Sequence, residues 1–87
     1  MKGIVYVLED DASIAGLIKF SLEREQLTCR TFGCVRDFTA GLREQTPDVV
    51  LLDIMLPDGN GLEVLKSVKE RYPSVCCIMQ RTGTGRR

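Results

Sequence analysis

The segment Asp48-Val49-Val50-Leu51-Leu52-Asp53 sets four consecutive apolar residues between two carboxylates. Side chains along a strand alternate between faces, so an unbroken apolar run needs cover on both sides. That is the environment in the middle of a parallel sheet, with helices above and below. A chain built around such a strand must supply crossover helices on either side of it in sequence.

It does so. Residues 3–8 form another continuous apolar run, stopped by Glu9-Asp10-Asp11, and read as a buried strand. Asp11 is placed to cap a helix whose apolar positions, Ile14, Leu17, Ile18 and Leu22, recur at spacings of three and four. Residues 27–32 form a second strand, with Gly33 as a break. Val35, Phe38 and Leu42 mark a second helix, ended at Thr46-Pro47 because proline disfavours helical geometry in the residue before it. Leu56-Pro57-Asp58-Gly59-Asn60-Gly61 is a turn-rich loop. A third helix follows with Leu62, Leu65, Val68 and Tyr72 on its inner face, Pro73 stops it, and residues 75–79 form a fourth apolar strand. The order β-α-β-α-β-α-β defines an α/β fold whose right-handed crossovers give a parallel sheet covered on both faces.

With 87 residues the chain holds one small domain, and 44% hydrophobic content is enough for a core. No apolar run approaches the roughly 20 residues a membrane helix needs, and the start does not have the form of a secretory signal, so a cytoplasmic location is expected. Formal charge is zero, but Arg81, Arg86 and Arg87 lie in the last eight residues, which hold no acid. The rest of the chain is therefore mildly acidic and offers little to nucleic acid. Residues 80–87 have neither hydrophobic periodicity nor a cap and are expected to be a disordered, solvated tail rather than a binding arm. Cys29, Cys34, Cys76 and Cys77 form no CxxC pair and have no histidine to join them, so they read as small core residues of a reducing compartment, not as a zinc site.

Ligands of a parallel α/β sheet collect at the carboxyl ends of its strands. The first strand ends in Glu9-Asp10 and the third in Asp53. Each acid alone is an ordinary loop residue, but on neighbouring strands the three converge, and their mutual repulsion calls for a counter-charge. A hard divalent cation such as Mg2+, which prefers oxygen ligands, is the natural one.

Val7-Leu8-Glu9-Asp10-Asp11 resembles the acidic signature that closes the first strand of response-regulator receiver domains, and the segment from Val49 to Leu62 resembles their phosphorylation segment, with acceptor, Leu-Pro and second glycine at the family's offsets. The resemblance covers residues 3–79 and is strongest to receivers of winged-helix transcription regulators. It implies a flavodoxin-like (CheY-like) fold with strand order 2-1-3-4. It also implies a phosphorylation-controlled signalling module of a two-component system, rather than an enzyme. Asp53 would be the nucleophile that accepts a phosphoryl group from a sensor histidine kinase. Asp10 and Asp53 would bind magnesium through side chains and Met55 through its backbone carbonyl, while Glu9 holds a metal-bound water. Pro57 and Gly59 would shape the loop beside the acceptor.

The chain also departs from the family's pattern. A receiver continues through a fourth helix, a fifth strand and a fifth helix, so residues 1–79 are expected to form a C-terminally truncated receiver and 80–87 a tail outside the family's pattern. The Ser or Thr that closes the fourth strand has no match: counted from the apolar run, Arg81 stands there, and Thr82 is one residue late. With that hydroxyl and the lysine of the fifth strand missing, phosphate acceptance is expected to be impaired. The open edge of the fourth strand and a half-bare sheet face predict a homodimer. Two other readings differ in class. An aspartyl-nucleophile phosphatase would carry a second Asp two residues after the nucleophile, where Met55 stands. A binding module would dimerise without phosphorylation.

Overall fold

The computed structural model describes residues 3–80; the expected tail from Arg81 onward lies outside the described residues. The elements are β1 (Ile4–Leu8), α1 (Ala12–Arg24), β2 (Thr28–Phe32), α2 (Val35–Glu44), β3 (Val49–Asp53), β4 (Met55–Leu56), β5 (Gly59–Asn60), α3 (Gly61–Arg71) and β6 (Cys76–Gln80). β2, β1, β3 and β6 lie side by side in that order and pair parallel throughout. This is the order 2-1-3-4 of the four strands read from the sequence. β4 and β5 form a small antiparallel ribbon within the segment expected to be a loop, joined across Pro57-Asp58.

One face of the sheet is covered by α2 and α3. Its core is Tyr6, Leu8, Phe32, Phe38, Leu42, Val50, Leu52, Val68 and Val75. The three aromatic rings stack at tilted and edge angles, with centroids 4.9 to 6.3 Å apart, the geometry the ring quadrupoles favour. Buried Tyr6 places its hydroxyl 3.0 Å from the Gly41 carbonyl and 3.1 Å from that of Gln45, which ties the last turns of α2 to the sheet. Among the described residues the other face has α1 alone, over a core of Val5, Val7 and Cys29 with Ile18, Leu22 and Leu27 packed against it.

Three expectations change. Leu17 is 69% exposed and Leu62 55% exposed, so neither belongs to its helix's inner face. In α1 the sheet-facing stripe is carried by Ala15, Ile18 and Leu22, and in α3 by Val64, Leu65, Val68 and Tyr72. A three-or-four spacing admits either set, and the tilt of each helix on the sheet decides. The fourth apolar strand also runs one residue later than its hydropathy suggests. The Val75 N–H donates to the Tyr72 carbonyl at 3.0 Å and closes the turn after α3, and pairing starts at Cys76, whose N–H donates to the Asp48 carbonyl. Gln80, assigned from sequence to the tail, is thus the last residue of β6 and the register partner of Asp53.

An acidic cluster at the carboxyl ends of two strands

β1 and β3 are neighbours with Leu8 opposite Leu52, so the residues that follow, Glu9 and Asp53, reach the same level of the sheet. Together with Asp10 they form one group: each offers a carboxylate oxygen, and these oxygens lie within 4.8 Å of one another. Glu9 and Asp53 are only 3% exposed, whereas Asp10 faces solvent. Two nearly buried carboxylates thus lie beside a third that is exposed. The donors are all oxygens, which suits a hard divalent cation rather than zinc or copper.

Local hydrogen bonds hold this geometry. The Glu9 N–H donates to the Phe32 carbonyl at 3.0 Å and extends the β1–β2 ladder by one residue. A Glu9 carboxylate oxygen accepts from the Asp11 N–H at 3.1 Å. Asp11 in turn caps α1, accepting from the N–H groups of Ser13 and Ile14. The acidic turn is therefore tied to the strand before it and the helix after it. On the other side, the Gly61 N–H donates to the Ile54 carbonyl at 2.7 Å. A Cβ on Gly61 would run into the Asp53 carbonyl oxygen and would come within 2.7 Å of the Ile54 Cα, so only glycine lets α3 start against the backbone that carries Asp53.

Asp58 has a role the sequence did not disclose. The N-cap of α2, Cys34, makes no side-chain cap bond. Instead Asp58, in the turn between β4 and β5, accepts from the N–H groups of Val35 at 2.7 Å and Arg36 at 3.1 Å. The Val35 amide, foremost, holds the Asp58 carboxyl below its ordinary value. No local pattern reveals a cap that acts across more than twenty residues. Gln80 is the second surprise: among the described residues its Nε2 is a buried side-chain nitrogen without a hydrogen-bond partner.

Elsewhere, a groove of about 280 Å³ between α2 and α3, floored by Phe38, Leu42, Val64 and Val68, contains none of the three acids. All four cysteines are free, and burial raises the thiols of Cys29 and Cys77 above their ordinary value. Among the described residues no helix is long and apolar enough to cross a membrane.

Comparison with known proteins agrees with this arrangement. The family model described as response regulator receiver domain matches residues 5–85. The DNA-binding transcriptional regulator NtrC of Proteus hauseri is 41% identical over 78 residues, which are 90% of this chain and 16% of that protein. The chain thus spans about a sixth of the length of that relative. Among solved structures, the beryllofluoride-activated NtrC4 receiver domain dimer is 29% identical with a TM-score of 0.82, over 87% of this chain and 63% of that one. The response regulator protein TrrA of Thermotoga maritima, in complex with magnesium and beryllofluoride, is 25% identical with a TM-score of 0.87, over all of this chain and 75% of that one. The chain belongs to the response regulator receiver domain family, the signalling modules of two-component systems. Among its curated relatives, NtrC is described as a DNA-binding transcriptional regulator and TcrX of Mycobacterium tuberculosis as a probable transcriptional regulatory protein.

Proposed function

We propose that this receiver accepts a phosphoryl group on Asp53 from a sensor histidine kinase, with magnesium held by the side chains of Asp10 and Asp53, by Glu9 through a bound water, and by the backbone carbonyl of Met55. The observation that carries the reading is the convergence of Glu9, Asp10 and Asp53 at the carboxyl ends of adjacent parallel strands. Bound there, a divalent cation supplies charge neutralisation, the main requirement of phosphoryl transfer beyond positioning. Asp53 supplies the nucleophilic oxygen. Glu9 and Asp10 gather positive charge beside it. Gly61 lets α3 begin against the Asp53–Ile54 peptide and so fixes the acceptor's backbone. The relative solved with magnesium and beryllofluoride supports the reading by likeness.

The division into a receiver and a short tail, expected at residue 79, is part of this proposal, with Gln80 in the receiver and the family match running on to residue 85. Self-association is a further part. Across the α1 side of the sheet, Val5, Val49 and Cys76 form one row and Val7, Leu51 and Ile78 the next. Each row passes from buried through half-buried to exposed, ending at Ile78, which is 47% exposed. An apolar surface that widens toward an edge strand favours pairing with a second copy.

Incubation with acetyl phosphate and magnesium, read by intact-protein mass spectrometry, tests the acceptor. Slow, partial uptake of one phosphoryl group is expected on the chain and none on Asp53→Asn. Equal labelling of the two overturns the assignment.

A further inference from the structure

We infer that the Gln80 side-chain amide donates a hydrogen bond from Nε2 to the phosphoryl group carried on Asp53; the inference rests on the reading of Asp53 as phosphoacceptor. Gln80 closes β6 and is in register with Asp53. Partners in a parallel pair leave the same face of the sheet, so the amide emerges beside the acceptor. Its Nε2 is buried and, among the described residues, has no hydrogen-bond partner. Such a donor costs free energy unless an acceptor arrives. Gln80 stands across from Asp53, which groups with Glu9 and Asp10, so a neutral donor here is suited to oxygens brought in on Asp53.

The step that brings them is balanced. A carboxylate oxygen of Asp53 attacks phosphorus and an O–P bond forms. The bond from phosphorus to the acetyl oxygen breaks, and acetate leaves with the pair. Three non-bridging oxygens stay on Asp53, and one of them meets the Gln80 N–H. The register of β6 sets the Gln80 amide, and no hydroxyl side chain, opposite Asp53.

The test is binding of beryllofluoride with magnesium to the full, isotope-labelled chain. The side-chain amide protons of Gln80 should shift downfield on binding in the wild type, a readout that requires no variant. Gln80→Ala should weaken binding about tenfold, the usual size for losing a hydrogen bond to a charged group. Gln80→Glu should weaken it further. If the amide signal stays in place and Gln80→Ala binds like wild type, while Asp53→Asn does not bind, the inference is overturned and the phosphoacceptor reading stands. If wild type and Asp53→Asn are equally inert, both fall.

Discussion

Among the described residues, two helices on one face of the sheet bury three aromatic rings and a shell of Leu and Val; on the other a single helix covers Val5, Val7 and Cys29 and leaves Ile78 in the open. The strands are the same, so the contrast lies in what covers them. The α2–α3 face carries most of the large buried side chains and sets stability. The α1 face holds less, but Asp53 and Gln80 leave the sheet on it, as do Val49, Leu51, Cys76 and Ile78, the residues proposed to meet a second copy. Rigidity and reactivity are thus assigned to opposite sides of one four-stranded sheet.

The contrast can be broken most sharply by side-chain truncation. Phe38→Ala should cost about 3–5 kcal/mol in chemical denaturation, as expected for an aromatic removed from a close-packed core. Leu17→Ala, on α1, should stay within about 0.5 kcal/mol, as for surface positions generally. Similar costs at the two sites would erase the distinction. Next in size is Gly61→Ala, where the methyl group must displace the Asp53 backbone; a loss of about 1–3 kcal/mol is expected. Phosphate acceptance should fall with it, and retention of both would show that α3 can retreat freely.

Association sharpens the comparison from the other side. Ile78→Lys should shift sedimentation toward monomer while changing stability by no more than about 0.5 kcal/mol. An unaltered dimer would place the contact elsewhere. The smallest effect concerns Asp58. Its carboxyl is held below the usual 3.8, chiefly by the Val35 amide, so its contribution is present above the unfolded value and lost as pH falls through the folded one. The melting-temperature gap between wild type and Asp58→Ala should therefore be full at neutral pH and close below the carboxylate range. A gap independent of pH would mean that the charge of the cap is irrelevant.

What was legible in the sequence follows the range of the forces involved. The unbroken run from Val49 to Leu52 and the alternating helix patterns disclose a parallel sheet, because burial on two faces leaves its mark residue by residue. The three acids were legible because strand ends are. The outward set of Leu17 and Leu62 was not, since helix tilt depends on what lies beneath. The Asp58 cap spans distant segments, and the place of Gln80 turned on one residue of the turn after α3. Both are settled by tertiary contacts that leave no periodic trace.

On the function proposed above, Glu9, Asp10 and Asp53, whose carboxylate oxygens lie together, act as one magnesium-dependent phosphoacceptor site. Peptide mapping of the chain after treatment with acetyl phosphate, with magnesium and with magnesium chelated, tests it most directly. The label should sit on Asp53, appear only with magnesium, and be lost in Asp10→Ala. A label on another residue, or on Asp53 at the same level without magnesium, would contradict it.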